Sequence, residues 1–213
     1  TFTKNVEGNV SGDFTFELYA ADAAGTAPTG NKIGETITVE DGKSASVTVD
    51  AAGAYFLKEV SWPAGVIAPT LIHTQPSTGV YVDDTGVYYG PYTLSNNLTS
   101  NQTITNTPNS GSLTINKLDA KTDAKLTGAT FTVSVDTEGW SEELIGLLPN
   151  GFAKVGETDT YAMTTGATNA NGQVTVDNLP IYNGDAPIEY TVTEATAPEN
   201  YLVDDEPQTT ALN

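Results

Sequence analysis

The chain has no cysteine. That excludes disulfides, thiolate chemistry and cysteine-ligated zinc, so any covalent reinforcement must use other atoms. Basic residues are few: 8 lysines stand against 27 Asp and Glu, for a formal charge of −19. A surface this acidic repels nucleic acid and anionic membrane, and neither is an expected partner. No apolar run approaches the roughly 20 residues of a membrane span, so no membrane insertion is expected. No signal peptide is visible, which leaves a cytoplasmic protein or a mature or excised piece. The single histidine, His73, sits in a Thr/Pro-rich stretch where no catalytic triad assembles around it. Asp83-Asp84 and Asp204-Asp205-Glu206 lack the spacing of a calcium loop, so neither a metal nor a cofactor is expected.

Thr, Val, Tyr and Phe are plentiful, and Gly, Asn, Asp and Pro punctuate them at short intervals. That pattern predicts an all-β chain. Strands are predicted over 2–7, 13–20, 35–40, 45–49, 54–60, 91–95 and 102–107. A second set is predicted over 113–118, 129–135, 160–164, 173–177, 188–195 and 208–213. Residues 107–112, Thr-Pro-Asn-Ser-Gly-Ser, have the composition of a short linker between the sets. Trp140, Leu144, Leu147 and Leu148 have helical spacing and predict a short helix within an insertion at about 136–166.

The two sets read as a diverged repeat. Phe14-Thr15-Phe16-Glu17-Leu18 parallels Ala129-Thr130-Phe131-Thr132-Val133. Tyr55-Phe56-Leu57-Lys58-Glu59 parallels Tyr190-Thr191-Val192-Thr193-Glu194. Two β domains are therefore expected, at 1–108 and 111–213, the first with a long insertion at about 66–90.

Strand alternation puts polar groups on apolar faces. Lys4 shares a face with Phe2 and Val6, and Lys117 with Leu113 and Ile115. Glu59 shares one with Tyr55 and Leu57, and Glu194 with Tyr190 and Val192. Asn106 follows Ile104 on a face of the first half's last strand, and Asn213 holds the corresponding end of the second half. A lone strand lysine ordinarily lays its stem along the sheet and keeps its charge in water. The same three residue types in the same order in both halves point elsewhere. Burial drives a lysine toward the neutral amine and a glutamate toward the neutral acid. An amine is a nucleophile, a carboxylic acid can polarise an amide and pass on its proton, and asparagine supplies an amide. Held in contact, with effective molarities on the order of 10⁵ M or more, they could form a Lys–Asn bond once within their own domain.

The sequence resembles the CnaB-type (prealbumin-like) isopeptide-forming domains of Gram-positive pilins and LPXTG-anchored surface adhesins. The resemblance runs through Leu113 to Asp119, Leu126 to Phe131, Thr168 to Val174, Asn178-Leu179-Pro180 and Tyr190 to Tyr201. The last piece is similar to the pilin E-box, with Val192, Ala195 and Asn200 replacing the usual Leu, Thr and Gly. The first half resembles the family more loosely, through Phe2 to Gly8, Gly12 to Leu18, Tyr55 to Glu59 and Ile104 to Pro108.

The resemblance implies two tandem Ig-like β-sandwiches. It implies Lys4–Asn106 and Lys117–Asn213 crosslinks, with Glu59 and Glu194 as the acids that make them. It further implies a non-enzymatic shaft or stalk segment of a surface protein, whose parent is handled by sortase and placed extracellularly on the cell wall or pilus. Its partners would be other pilin or adhesin domains of the same chain or fibre. The alternative function is a module that binds a host glycan or matrix protein through its inserted loops. A patch of Tyr81, Tyr88, Tyr89 and Tyr92 would favour it.

Overall fold

The structure is a computed structural model that describes residues 1–6, 10–67, 80–95 and 101–212. The chain divides into two compact units, Thr1–Pro108 and Asn109–Asn213. His73 and most of the predicted insertion at 66–90 lie outside the described residues.

In the first unit the strands are β1 (Phe2–Val6), β2 (Asp13–Ala21), β3 (Pro28–Glu40), β4 (Ser44–Ala45), β5 (Gly53–Ser61), β6 (Val80–Asp83), β7 (Gly86–Leu94) and β8 (Gln102–Asn106). They form a five-stranded sheet in the order β3-β2-β5-β7-β6 and a three-stranded sheet in the order β4-β1-β8. β1 and β8, the first and last strands of the unit, run parallel, with Lys4 opposite Ile104 and Val6 opposite Asn106. The side-chain period of two is visible in β2, where Phe14, Phe16 and Leu18 are buried and the residues between them are less so. The core lies between the sheets; Phe2 of the smaller meets Phe16 of the larger edge-on, with ring centroids 4.8 Å apart.

The second unit contains β9 (Gly111–Asn116), β10 (Thr130–Asp136), α1 (Glu142–Ile145), β11 (Ala153–Lys154), β12 (Thr160–Thr164), β13 (Gln173–Leu179), β14 (Tyr182–Asn183), β15 (Ala186–Pro187), β16 (Glu189–Thr196) and β17 (Gln208–Ala211). Its five-stranded sheet has the order β11-β12-β10-β16-β17, and β9 pairs with β13 in a separate two-stranded sheet. Leu113 and Val176 of the smaller sheet are buried, as are Phe131, Val133 and Tyr190 of the larger. The helix is shorter than the predicted Trp140–Leu148. Ser141 caps it by accepting the Leu144 N–H, and Leu144 is its buried residue.

Several features depart from the expected strand pattern: β3 begins at Pro28 rather than 35, β7 begins at Gly86 rather than 91, and β4 ends at Ala45 rather than 49. β6 and the two-residue strands β11, β14 and β15 carry too few alternating residues to be read from sequence. β17 ends at Ala211, short of the predicted 213. The stretch 107–112 is tied down rather than free. Ile67 donates its N–H to the Thr107 carbonyl, Asn109 is buried, and β9 begins at Gly111.

Candidate functional site

The two units build their sites in the same way. In β5, Ser61 pairs with Thr15 and Glu59 with Phe16, so Val60 is an extra residue in the ladder. In β16, Thr196 pairs with Thr130 and Glu194 with Phe131, so Ala195 is extra. Each glutamate therefore stands beside a β-bulge at the same register, and such a bulge re-aims the neighbouring side chains. The lysines match as well. Lys4 donates its N–H to the Lys43 carbonyl (2.9 Å) and accepts from the Gly42 N–H (2.9 Å). Lys117 donates to the Gly172 carbonyl (2.7 Å) and accepts from the Leu126 N–H (3.0 Å).

In the first unit three predicted residues converge. Lys4 is 0% exposed, Glu59 4% and Asn106 7%. The Lys4 Nζ donates to Asn106 Oδ1 at 2.7 Å and lies 4.0 Å from Glu59 Oε1. Asn106 Nδ2 donates to Glu59 Oε2 at 3.0 Å, and the Tyr89 hydroxyl donates to the same oxygen at 3.2 Å. Glu59 Oε1 accepts no hydrogen bond among the described residues. The Phe14 ring lies beneath the ammonium, 4.3 Å from Nζ to the centroid.

Burial is the largest influence on both ionisable partners. It lowers the Lys4 pKa, against the opposing pull of Glu59 and Asp41. It raises the Glu59 pKa, against Lys4, Asn106 and Tyr89. Both shifts favour transfer of the proton from nitrogen to oxygen. Burial and the adjacent Glu59 push the Tyr89 phenol far up, so its hydroxyl acts here as a donor.

In the second unit Lys117 and Glu194 meet, but in a different geometry. The Lys117 Nζ is 3.0 Å from each Glu194 oxygen. Glu194 Oε2 also accepts the backbone N–H of Asp204 at 2.7 Å, whereas Glu59 Oε2 accepts the Asn106 amide. Asn213 lies outside the described residues. The strand before it takes the place of β7, not of β8: β17 pairs with β16, setting Tyr190 opposite Thr210 as Tyr55 is opposite Tyr92. Among the described residues β9 pairs with β13 alone, whereas β1 has β4 on one edge and β8 on the other.

Residues 111–213 match the family model described as the SpaA prealbumin-like fold domain. The second unit has the prealbumin-like fold. This domain and the first unit share the bulged glutamate and the anchored lysine described above. Across its length the chain is similar to the Bacillus anthracis TIE protein, at 20% identity and a TM-score of 0.41, covering 100% of this chain and 30% of that one. It is similar to the streptococcal ancillary pilin at 19% identity and a TM-score of 0.34, covering 100% of this chain and 57% of that one. It is also similar to a C-terminal fragment of the pilus adhesin SpaC from Lactobacillus rhamnosus GG, at 14% identity and a TM-score of 0.42, covering 100% and 81%. The chain thus spans 30% and 57% of the length of the first two. No curated protein matches it.

Tyr89 was missed as part of the site and was read instead as a member of an aromatic patch. The four tyrosines divide between two faces. Tyr89 and Tyr92 stand opposite Leu57 and Tyr55 on the core side. Tyr81 and Tyr88 pack edge-on against each other at 6.0 Å, and Tyr81 also meets Phe56. The signal for Tyr89 was present in β7, where Val87 and Tyr89 alternate with Tyr88 on the opposite face of the sheet.

Proposed function

We propose that the chain is a load-bearing segment of a Gram-positive pilin or wall-anchored surface adhesin, stapled in its first unit by a Lys4–Asn106 amide. The observation that carries this reading is the convergence of Lys4, Glu59 and Asn106 in a dry core, on strands that open and close the unit.

The reaction balances within the triad. Glu59 Oε1 takes a proton from the Lys4 ammonium. The freed amine attacks Asn106 Cγ, a bond forms from Nζ to Cγ, and the Cγ–Nδ2 bond breaks. Nδ2 leaves as ammonia, taking its proton from the Glu59 carboxyl, whose Oε2 already faces it at 3.0 Å, and the carboxylate so regenerated takes the second proton that Nζ sheds as it becomes an amide nitrogen. The chemistry happens once, on the protein itself, so this is not a turnover enzyme.

The mechanical consequence follows from topology. Tension on a surface fibre enters through terminal strands. A bond between β1 and β8 carries that load past the core. It also closes a loop spanning 102 positions. By analogy with disulfides, a loop of that size is worth roughly 4–5 kcal/mol. The staple needs no thiol, in keeping with a chain that has no cysteine.

In the second unit Lys117 and Glu194 supply the amine and the acid. The place beside β9 that corresponds to β8 is where an acceptor for Lys117 belongs. Neighbouring domains of the same fibre are the proposed partners, with the parent protein handled by sortase at the cell surface. One aromatic surface would favour the host-ligand reading through the inserted loops, and Tyr81 and Tyr88 lie on a different face from Tyr89 and Tyr92.

Intact mass tests the proposal. The wild type is expected to weigh one ammonia less than its sequence. Glu59→Ala should recover the full mass, and Glu194→Ala should leave the deficit unchanged. A wild type at full mass overturns the staple, and a deficit of two ammonias adds a second staple, with Asn213 as the acceptor for Lys117.

A further inference from the structure

We propose that Tyr89 is a positioning residue for staple formation, fixing the Glu59 carboxyl so that its two oxygens serve different partners; this rests on the reading given above. The inference starts from the division of labour on Glu59. Oε2 receives two hydrogen bonds, from Asn106 Nδ2 at 3.0 Å and from the Tyr89 hydroxyl at 3.2 Å. Oε1 receives none among the described residues and is the oxygen 4.0 Å from the Lys4 Nζ. The reaction needs this split. One oxygen must collect the proton at the nucleophile while the other faces the leaving group.

A carboxyl does not hold such an orientation by itself, because the last torsion of a glutamate is broad and nearly two-fold. With the Asn106 amide as its single donor, the group could turn both oxygens toward the ammonium. Tyr89 opposes that turn from a fixed point. It sits on β7 opposite Leu57 and reaches diagonally to Glu59 on the same face of β5.

The second unit shows the arrangement without the tyrosine. Val192 stands two residues before Glu194, as Leu57 stands before Glu59, and the residue opposite Val192 is Gln208, which is exposed. There Glu194 Oε2 accepts from the Lys117 Nζ at 3.0 Å and from the Asp204 N–H at 2.7 Å, while Oε1, also 3.0 Å from Nζ, accepts no hydrogen bond among the described residues. The same lysine and bulged glutamate thus adopt two geometries: where a tyrosine hydroxyl reaches the carboxyl, Nζ stands 4.0 Å from Oε1, and where a backbone N–H takes its place, Nζ lies 3.0 Å from both oxygens.

The test is Tyr89→Phe, which removes the hydroxyl and keeps the ring. Full-length protein is made by cell-free synthesis, quenched in acid at intervals and weighed for loss of ammonia. Maturation is expected to slow roughly 10- to 100-fold, the scale of a misplaced reacting group. The hydroxyl favours the ionised carboxylate, so both limbs of the pH–rate profile should move to higher pH in the variant. The titratable groups facing this proton are Lys4 from β1, Glu59 from β5 and Tyr89 from β7, with Asp41 of the β3–β4 turn beyond Lys4.

Stability is measured separately in the unreactive Glu59→Gln background, with and without Tyr89→Phe. Equal melting temperatures there, with slower maturation and a shifted profile, support the positioning role. Maturation at the wild-type rate overturns it, as does a Tyr89→Phe chain that fails to fold or slows with an unshifted profile. A wild type that never loses ammonia overturns the staple and this role together, whereas failure of Tyr89→Phe to slow a maturing protein overturns this role alone.

Discussion

Lys4 and Asn106 are joined by a 2.7 Å hydrogen bond across two parallel strands, with 102 positions of chain between them. The bond lies inside a core where both side chains, and Glu59 with them, are cut off from water. A buried charge is tolerated when its partner stays and is costly when its partner goes. The Lys4→Met variant removes the nucleophile and the cation together. It is expected to lose the roughly 4–5 kcal/mol of the staple and about 3–5 kcal/mol more for the stranded Glu59. Lys4→Met/Glu59→Gln should lose the staple alone and so be the more stable of the two in urea. If the single and double variants unfold at the same urea concentration, Glu59 is not stranded and the core is wetter than described.

The pH dependence of the same variants has a definite sign. Burial raises the Glu59 pKa, so the folded protein holds this proton more tightly than the unfolded chain. The resulting stability is complete below the ordinary carboxylate pKa of about 4.3. It is lost as pH rises from there through the raised folded value, at up to about 1.4 kcal/mol per pH unit. Lys4 opposes the shift, and Lys4→Met removes that opposition. Lys4→Met is therefore expected to melt at a lower temperature at pH 8 than at pH 5, relative to Lys4→Met/Glu59→Gln over the same range. Parallel melting curves for the two variants across that window would refute the assignment of a raised pKa to Glu59.

Much of the first unit's site was legible in the sequence because strand alternation is a strict rule. Lys4 between Phe2 and Val6, and Glu59 after Tyr55 and Leu57, had to face inward once those apolar residues did. What alternation cannot supply is which sheet a strand joins. Residues 208–211 have strand composition, but joining β16 rather than β9 is decided by pairing. Tyr89 was hidden for a related reason. The ladder between β5 and β7 slips between Tyr55/Tyr92 and Leu57/Tyr89, so two tyrosines an odd number of residues apart both face the core. A bulge changes parity, and parity is all that the sequence pattern measures.

Gly172 fixes the turn that holds Lys117. Its φ is +68°, and a Cβ there would lie 2.7 Å from the Lys117 carbonyl oxygen and 3.1 Å from the Leu126 N. Those are the backbone groups that anchor the lysine, so no flexible side chain can move aside. Gly172→Ala is expected to destabilise the second unit by roughly 1–3 kcal/mol and to leave the first unit's ammonia loss untouched. Limited proteolysis read by mass would show earlier cleavage within 109–213 alone. Unchanged cleavage there would mean that the turn relaxes at no cost.

Asn109 makes the sharpest test of how the chain enters the second unit. Its side-chain oxygen accepts the N–H groups of Ile181 (3.2 Å) and Tyr182 (2.9 Å), and its Nδ2 donates to the Tyr182 carbonyl (2.7 Å). The residue is 5% exposed, so water cannot readily replace these bonds. In Asn109→Ala the two N–H groups lose their acceptor, at an expected cost of about 1–3 kcal/mol. Asn109→Asp keeps the acceptor oxygens but replaces the amide donor with a charge, and it should recover part of the loss at low pH, where the acid carries a proton. Hydrogen exchange is the direct measurement: the Ile181 and Tyr182 amides should exchange faster in Asn109→Ala, while amides of β5 and β8 keep their protection. Equal exchange at Ile181 and Tyr182 in wild type and variant would return residues 107–112 to the role of a free linker.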